Sequence, residues 1–284
     1  MLHRALYAEI VRRALDEDLG QAGDLTTESC IPADSISTAE GVARQAGVVA
    51  GVEVAAYVFA TVDPAVTVDV RTEDGARVEA GTVVMAVHGS SRSILTAERT
   101  ALNLIGRMSG VATATARLVD AVDGTGAVIT DTRKTMPGLR ALDKYAVRMG
   151  GGRNHRFGLY DAVMIKDNHV VAAGSIAAAV GAVRARVGHT VKVEVEVDAL
   201  EQLDELLEVG ADIVLLDNMD TATLRKAVER VDGRLVCEAS GGISIETVRA
   251  VAETGVDLIS AGSITHSAAQ LDIALDFKVS QRAS

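Results

Sequence analysis

The chain has 284 residues, of which 48% are apolar and 24% are charged, and its formal net charge is −11. This composition is typical of a globular protein. The negative charge argues against a nucleic-acid partner, which would need a positively charged surface. No run of about 18 apolar residues occurs, and the N-terminal segment is too acidic for a signal peptide. We therefore expect no membrane span and a cytoplasmic location.

The N-terminal part of the sequence predicts one helix followed by short strands. Residues 1–20 are amphipathic, and residues 36–87 contain short alternating apolar runs separated by turn residues. Asp74-Gly75 predicts a hairpin turn. Its surroundings resemble turns in small domains that carry lipoyl or biotin. Because no lysine stands at an exposed hairpin tip here, we reject a carrier role. We interpret this part as a scaffold or substrate-covering domain.

Residues 93–122 predict one long helix that connects the two halves of the chain. The segment has no proline, and its apolar residues recur at helical spacing. A plain core helix explains most of this pattern. It does not explain Glu98-Arg99, a charged pair beside the apolar face.

From residue 127 the pattern changes to short apolar runs that alternate with helical segments. Six runs predict strands, and the later ones recur at intervals of roughly 22 residues, as one strand plus one helix requires. They are AVITD, AVMIK, VKVEVEV, DIVLLD, RLVCEAS and DLISAGS. Because these runs are apolar through most of their length, they predict a parallel sheet that is buried on both faces.

The ends of the predicted strands favour a barrel over a doubly wound sheet. Nearly every run stops in polar residues or glycine. In a barrel, the groups that follow successive strands converge on one mouth. A doubly wound sheet would concentrate them at one switch point, and no G-x-G-x-x-G follows the first strand. Since only six strands are clear, we expect an incomplete barrel.

A cationic segment, residues 132–169, lies within this acidic chain. Arg133 and Lys134 directly follow a predicted strand, His155 and Arg156 lie in a glycine-containing loop, and Lys166 ends the next strand. Arginine suits bidentate recognition of carboxylates, and lysine suits phosphate or diphosphate. The segment therefore predicts a pocket for a small, highly charged anion.

Three further cations of this segment fall on a predicted helix, residues 138–149. They are Arg140, Lys144 and Arg148, spaced four residues apart. Such spacing places them on one face of the helix. We interpret that face as exposed to solvent.

Two glycine-containing turns predict a phosphate site. Ser240-Gly241-Gly242 follows one strand and Ala261-Gly262-Ser263 follows the next, each before a predicted helix. Free backbone N–H groups at such turns bind a phosphate dianion, and the last two loops of β/α barrels commonly do so. One such turn alone is explained equally well by the need for a tight bend.

Glu196 and Asp217 stand at strand ends between the cations and the glycine turns. They could hold ribose hydroxyls or bind Mg²⁺ that bridges a diphosphate. The alternative is that they form ion pairs with the nearby lysines. The whole set suits a phosphorylated ribose together with an acidic co-substrate.

These residues belong to a series of motifs that resembles the quinolinate phosphoribosyltransferase family. The motifs are D-T-R-K-T-x-P-G-x-R, G-G-x-x-N-H-R-x-G-L-x-D, M-I-K-D-N-H, V-E-V-E, L-L-D-N and E-A-S-G-G-I. The resemblance runs nearly end to end, from EDLGQAGDLTT to LDIALDFK. An ordered set of this kind is far more specific than any one motif.

The resemblance implies a fold, a reaction and an assembly. The fold is α/β, with an N-terminal α/β sandwich domain (residues 1–110) and an incomplete, seven-stranded, TIM-like α/β barrel (residues 111–267). The tail, residues 268–284, packs back on the sandwich. The implied reaction converts quinolinate and phosphoribosyl diphosphate to nicotinate mononucleotide, diphosphate and CO2, with Mg²⁺. The family works as a homodimer or a larger assembly of dimers.

The resemblance also implies roles for individual residues. Arg133, Arg156 and Lys166 would hold the quinolinate carboxylates, with His155 nearby, and Arg99 would reach in from a neighbouring subunit. The implied substrate-binding set is Arg99, Thr132, Arg133, Lys134, His155, Arg156, Lys166, Glu196, Asp217, Ser240, Gly241, Gly242, Ala261, Gly262 and Ser263. The implied catalytic residues are Lys134, Lys166, Glu196 and Asp217, and Glu196 and Asp217 would also hold the metal, either directly or through water or substrate.

Three other functions each leave part of the sequence unexplained. A relative of the same fold associated with molybdenum transport would not need the complete arginine and histidine set. A sensor of phosphorylated sugars would have little use for the paired carboxylates at Glu196 and Asp217. A barrel isomerase acting on a sugar phosphate would leave the arginine pocket unexplained.

Overall fold

The structure, a computed structural model, describes residues 2–278. These residues form two units, the first comprising 2–116, 136–151 and 267–278, and the second 117–135 and 152–266. Segments of the two units alternate along the chain, whereas the sequence predicts contiguous domains, 1–110 and 111–267. Those boundaries stay predictions. Of the predicted tail, residues 279–284 lie outside the described part.

The described elements are numbered in chain order. The helices are α1 (Ala8–Leu19), α2 (Leu25–Cys30), α3 (Val52–Val62), α4 (Ser91–Ala121), α5 (Arg140–Met149), α6 (Asp167–Ala173), α7 (Ile176–Arg184), α8 (Leu200–Val209), α9 (Thr221–Val231), α10 (Val248–Ala252) and α11 (Ser263–His266). The strands are β1 (Ile36–Ala43), β2 (Gly47–Val48), β3 (Thr67–Val70), β4 (Arg77–Val78), β5 (Val83–Ser90), β6 (Val128–Thr130), β7 (Val163–Ile165), β8 (Val193–Val197), β9 (Ile213–Asp217), β10 (Val236–Ser240), β11 (Leu258–Ser260) and β12 (Ile273–Lys278).

The first unit contains an antiparallel sheet with the strand order β12-β1-β5-β3. Strand β12 pairs with β1, from Thr38 opposite Lys278 to Ala43 opposite Ile273. Helix α3 buries apolar side chains, among them Val58 and Phe59, along its length. The mixed α/β class of the N-terminal part is therefore confirmed.

The long helix predicted for residues 93–122 is confirmed as α4, Ser91–Ala121. Its buried residues include Ile94, Ile105 and Met108, at the spacing of one helix face. No helix within residues 2–278 is long and apolar enough to cross a membrane.

The turn predicted at Asp74-Gly75 exists, but the hairpin prediction is wrong. The strands on its two sides do not pair with each other, since β3 pairs with β5 and β4 pairs with β2. The side chain of Asp74 has another role, because its Oδ1 accepts the backbone N–H groups of Gly51 and Val52 at 2.9 and 3.0 Å. These groups begin α3, so Asp74 caps that helix. The hydroxyl of Tyr145 donates to its Oδ2 at 2.7 Å.

The interpretation of α5 as a helix with a cationic, solvent-exposed face is wrong at Lys144. Arg148 is exposed, but Lys144 is fully buried. The reason is that α5 buries every residue from Leu142 to Val147 and so has no solvent face at that height. Asp143 is also fully buried, and it accepts a bidentate pair of hydrogen bonds from Arg107 on α4, at 3.0 and 2.9 Å.

The second unit contains the six predicted parallel strands, in the order β6-β11-β10-β9-β8-β7. Each strand from β7 to β10 lies beside the next strand along the chain, and the first strand of the sheet, β6, pairs with its last, β11. This circular order is that of a barrel rather than of a doubly wound sheet.

The barrel is incomplete between β6 and β7. A single parallel bridge joins Thr130 to Arg153 there, supported by hydrogen bonds from Arg153 N to Ile129 O and from Asp131 N to Arg153 O, at 2.9 and 3.2 Å. The described residues thus form six strands and one bridge rather than the seven strands that the resemblance implies. The glycine-containing chain around Arg153 runs too briefly along β6 to extend the ladder.

Candidate active site

A cavity of about 590 Å³ lies at the carboxyl ends of the barrel strands. It is lined by most of the predicted site residues, namely Thr132, Arg133, Lys134, His155, Arg156, Lys166, Glu196, Asp217, Ser240, Gly241 and Gly242. These residues come from loops and strand ends that are far apart in sequence. The parallel order of the strands brings them together, because all the carboxyl ends face the same way.

The loop after β11 lies beside the cavity but does not line it. A Cβ added at Gly262 would lie 2.9 Å from Cδ of Lys134, so the glycine permits this close approach. The hydroxyl of Thr265 donates to the carbonyl oxygen of Lys134 at 2.8 Å. Ala261, Gly262 and Ser263 therefore border the loop that bears Lys134. Arg99 is an exposed residue of α4 in the first unit, and its role in a neighbouring subunit stays a prediction.

The cationic wall of the cavity contains two guanidinium groups that repel each other. Burial lowers the pKa of Arg156, and the charge of Arg133 lowers it further. Nη1 of Arg156 donates to the carbonyl oxygen of Ala162 at 3.1 Å, which holds the group in place. Two like charges kept together in a half-buried pocket favour an anionic ligand that would neutralise them.

Lys166, at the end of β7, forms an ion pair with Glu196, at the end of β8. The lysine side chain is 46% exposed, whereas that of the glutamate is 12% exposed. The alternative role for the strand-end acids, ion pairing with lysine, is thus observed at Glu196. The backbone N–H of Lys166 donates to Nδ1 of His169 at 2.9 Å, which fixes the start of α6.

Asp217 and Glu196 form an acidic pair in the lining of the same cavity. Burial raises the pKa of Asp217, and the charge of Glu196 raises it further. Asn218, which adopts a positive φ of 54°, donates from Nδ2 to Asp217 at 2.6 Å and partly offsets both effects. Since the two carboxylates repel each other, a hard divalent cation would stabilise them together.

The first glycine turn differs from its prediction in one respect. Gly241 and Gly242 have φ values of +93° and +61°, so the turn requires glycine. However, residues 243–247 separate this turn from α10, whereas α11 begins directly at Ser263. The backbone of the turn, rather than the end of a helix, therefore faces the cavity.

A buried layer of polar residues, His155, Glu194 and Glu238, adjoins the cationic wall. Sequence reasoning assigned the histidine to the site but not the two glutamates. Nε2 of His155 lies 3.0 Å from Oε2 of Glu194 and 3.6 Å from Oε1 of Glu238. The two carboxylates are only 3% and 1% exposed. Burial, and then the charge of Glu194, raises the pKa of Glu238 to about 7.

The sequence contains a signal for this layer. Glu194 and Glu196 are two residues apart in β8, and the same holds for Glu238 and Ser240 in β10. Residues at i and i+2 of a strand share one face. A glutamate two residues before the polar residue at the strand end therefore lies on the same face of the strand and points into the barrel.

The comparisons with known proteins agree with this geometry. Residues 24–109 match the family model for the N-terminal domain of quinolinate phosphoribosyl transferase, and residues 111–276 match that for its C-terminal domain. A Mycobacterium leprae protein named nicotinate-nucleotide pyrophosphorylase [carboxylating] is 50% identical over 276 residues, covering 94% of this chain and 96% of that protein. A probable nicotinate-nucleotide pyrophosphorylase [carboxylating] of Bacillus subtilis is 45% identical, covering 93% of this chain and 91% of that protein.

A solved structure is also similar to this chain over nearly its whole length. NadC from Streptococcus pyogenes superposes with a TM-score of 0.94 at 38% identity, covering 98% of this chain and 99% of that chain. The two family domains account for most of the sequence, and the six-stranded barrel with its cavity has the matching architecture. The chain therefore belongs to the quinolinate phosphoribosyltransferase family, enzymes of NAD biosynthesis.

Proposed function

We propose that this chain transfers the phosphoribosyl group of phosphoribosyl diphosphate to quinolinate and releases CO2. The products are nicotinate mononucleotide and diphosphate. The observation that supports this most strongly is one cavity of about 590 Å³ that is lined both by the guanidinium groups of Arg133 and Arg156 and by the carboxylates of Glu196 and Asp217. Such a cavity suits a dicarboxylate next to a ribose.

The cationic wall would bind quinolinate. Arg133 and Arg156 suit bidentate hydrogen bonds to carboxylates, and Lys166 adds a third positive charge. Quinolinate and phosphoribosyl diphosphate are both polyanions, and their mutual repulsion opposes simultaneous binding. The concentration of cations offsets that repulsion, which explains why an acidic protein has so many in one segment.

The carboxylates would act on the ribose. The ring nitrogen of quinolinate attacks C1 of the ribose as diphosphate leaves, through an oxocarbenium-like transition state. Glu196 and Asp217 would hold ribose hydroxyls and stabilise the developing positive charge, and Lys134 would offset the charge that builds on the diphosphate. The backbone at Gly241 and Gly242 would cradle the 5′-phosphate.

Decarboxylation follows from the product of the transfer. Once the ring nitrogen bears the ribose, it is a cation, and the carbanion left by loss of the 2-carboxylate lies directly beside it. Breaking the bond from C2 to the carboxylate releases CO2, and a proton then replaces it at C2. Arg133 and Arg156 would hold the ring in place during this step.

Glu196 and Asp217 also suit Mg²⁺. Both offer carboxylate oxygens, which are the ligands that this ion prefers. Burial, and then the charge of Glu196, raises the pKa of Asp217, and a cation bound to both groups would offset these two effects. When bound with phosphoribosyl diphosphate, the ion would neutralise charge on the leaving group.

The assembly proposed for this enzyme is a homodimer, alone or within a larger assembly. In it, Arg99 of one subunit would extend the cationic wall of the other. The supporting observations are that Arg99 is exposed on α4 and that two guanidinium groups already line the cavity. A third guanidinium would give the dicarboxylate one more charged hydrogen-bond donor.

A comparison of two pyridine substrates tests the proposed function. Purified protein is supplied with phosphoribosyl diphosphate, Mg²⁺ and either quinolinate or nicotinate, and absorbance and CO2 release are followed. We expect turnover with quinolinate only, since nicotinate lacks the 2-carboxylate. Turnover with nicotinate but not with quinolinate would overturn the role of the cations, and no turnover with either would favour a sensor or the transport-associated relative.

A second test separates the two substrates. Arg133→Ala should weaken quinolinate binding by about 1.5–3 kcal/mol, the range for a charged hydrogen bond, and leave phosphoribosyl diphosphate binding nearly unchanged. Arg153→Ala is the matched control, because Arg153 is exposed, lies in the same cationic segment and does not line the cavity. Equal losses for both ligands in Arg133→Ala would contradict the assignment.

A further inference from the structure

Both ring nitrogens of His155 are bound by the protein itself. The backbone N–H of Arg156 donates to Nδ1 at 2.7 Å, and Nε2 lies 3.0 Å from Oε2 of Glu194. A neutral imidazole has one donor and one acceptor nitrogen. Because Nδ1 accepts a hydrogen bond, the ring proton is on Nε2 and is donated to Glu194.

This arrangement argues against a metal ion at the buried layer. His155, Glu194 and Glu238 each place a ligand atom within 4.8 Å of the others, as a metal site would require. An imidazole that binds a metal through Nε2 carries its proton on Nδ1 and donates it to an acceptor. Here Nδ1 faces the N–H of Arg156, and two donors would then oppose each other.

Further hydrogen bonds hold the loop that bears Asn154, His155 and Arg156. Asp131 accepts the backbone N–H of His155 at 2.8 Å and Nδ2 of Asn154 at 2.6 Å. The guanidinium of Arg156 is held at its other end by the carbonyl oxygen of Ala162. The backbone of Arg156 is thus attached to the barrel through the ring of His155, and its charged group is directed into the cavity.

We propose that Glu194 and His155 are positioning residues for quinolinate binding. Glu194 holds the Nε2–H of His155, His155 holds the backbone N–H of Arg156, and Arg156 binds a substrate carboxylate. The imidazole of His155 remains neutral and does not itself pair with the substrate. The inference rests on the proposed function, because Arg156 is taken to bind quinolinate.

Glu238 supports the role of Glu194. Oε1 of each glutamate is buried with no hydrogen-bond partner within residues 2–278. Two adjacent buried carboxylates cannot both be ionised at low cost. Burial, and then the charge of Glu194, raises the pKa of Glu238 to about 7. Glu194 is the acceptor for His155, because its Oε2 lies 3.0 Å from Nε2 whereas Oε1 of Glu238 lies 3.6 Å away.

Substitutions at the two ring contacts test the proposal by kinetics. In Glu194→Ala the KM for quinolinate should rise about 10-fold or more, while that for phosphoribosyl diphosphate changes less than about twofold. His155→Asn keeps an acceptor near the position of Nδ1, so it should lose less quinolinate affinity than His155→Leu. Glu201→Gln, at an exposed residue of α8, is the matched control and should resemble the wild type.

Nitrogen-15 NMR of histidine in the wild-type protein tests the proposal on the unaltered site, and a variant serves only to assign the signals. We expect His155 to show a protonated Nε2 and an unprotonated Nδ1 near pH 7, both alone and with quinolinate added. The His155→Asn spectrum assigns the signals. An imidazolium, or a proton on Nδ1, in either state would overturn the proposal.

The kinetic measurements on these variants can refute the proposal as well. Equal effects of Glu194→Ala on the two substrates, or equal effects of His155→Asn and His155→Leu, would also overturn it. A wild-type protein that does not turn over quinolinate would refute the proposed function alone. The NMR measurement on the free protein would still decide the arrangement around His155.

Discussion

Replacing Gly241 by alanine tests how the glycine turn after β10 positions the acidic pair. Gly241 has a φ of +93°, and a Cβ there would lie 2.1 Å from Oδ1 and 3.0 Å from the backbone N of Asn218. Asn218 donates from Nδ2 to Asp217 at 2.6 Å, and its backbone N–H donates to Ser240 O at 2.9 Å. The new methyl group therefore displaces the residue that holds Asp217.

The expected loss of stability has two parts. A positive φ costs an L-residue about 1–2 kcal/mol, and the contact with Asn218 adds about 1–3 kcal/mol because its backbone cannot rotate away. Gly241→Ala should therefore lower the free energy of unfolding by about 2–5 kcal/mol. Gly242→Ala is the matched control, since its φ is +61° and its added Cβ would meet nothing within 4 Å. It should lose only about 1–2 kcal/mol.

Gly241→Ala should also change the pH dependence of the reaction. The hydrogen bond from Asn218 lowers the pKa of Asp217, against burial and the charge of Glu196, which raise it. Losing that hydrogen bond raises the pKa further, so a larger fraction of Asp217 is protonated on the acid side. The acidic limb of kcat/KM should move to higher pH.

Urea denaturation and a pH profile of kcat/KM for phosphoribosyl diphosphate measure these effects. Both variants touch the proposed phosphate turn, so both should raise the KM for phosphoribosyl diphosphate. The distinguishing results are the larger stability loss and the pH shift in Gly241→Ala. If the two variants lose stability within about 0.5 kcal/mol of each other and share one pH profile, the reasoning about Asn218 is refuted.

Three further predictions concern stability and assembly. Arg107→Met leaves the carboxylate of Asp143 buried without its bidentate partner, and it should destabilise by about 3–5 kcal/mol in urea denaturation; a loss below about 1 kcal/mol would contradict this. Burial alone would raise the pKa of Asp212, but two ion pairs and a backbone N–H lower it to about 2. Its contribution, about 1 kcal/mol because the paired cations are partly exposed, should be present at pH 7 and lost as the pH falls from about 4 to 2. Asp212→Asn should therefore differ from the wild type at pH 7 and not at pH 2. Mixing Arg99→Ala chains with Lys134→Ala chains should restore activity if Arg99 serves its neighbour, and no recovery in verified heterodimers would count against a shared site.

Much of the fold follows from local patterns in the sequence. The six apolar runs after residue 127 all form strands, because an apolar run bounded by turn residues is stable only where both faces are buried. Polar groups at successive strand ends correctly predicted a barrel, since its parallel strands present those ends at one mouth. The helix α4 follows from its 3.6-residue spacing.

Two predictions from local patterns are wrong, because the structure there depends on residues that are distant in the sequence. The turn at Asp74 was expected to join a hairpin, but its carboxylate caps α3. Cations four residues apart predict an exposed face at Lys144, yet α5 is buried on that side too. In both cases the deciding contact lies more than 20 residues away in the chain or comes from tertiary packing.

The sequence by itself determined the six strands of the second unit, the cationic segment and most of the residues that line the cavity. These properties depend on periodicity and on residue type, which the chain carries wherever it folds. Only the tertiary structure decided which charges meet, because pairing and protonation depend on distance and burial. It paired Lys166 with Glu196 and placed His155 between Arg156 and Glu194. The motifs place His155 beside the substrate, and its contacts with Glu194 and Arg156 give it the proposed role of holding Arg156 in position.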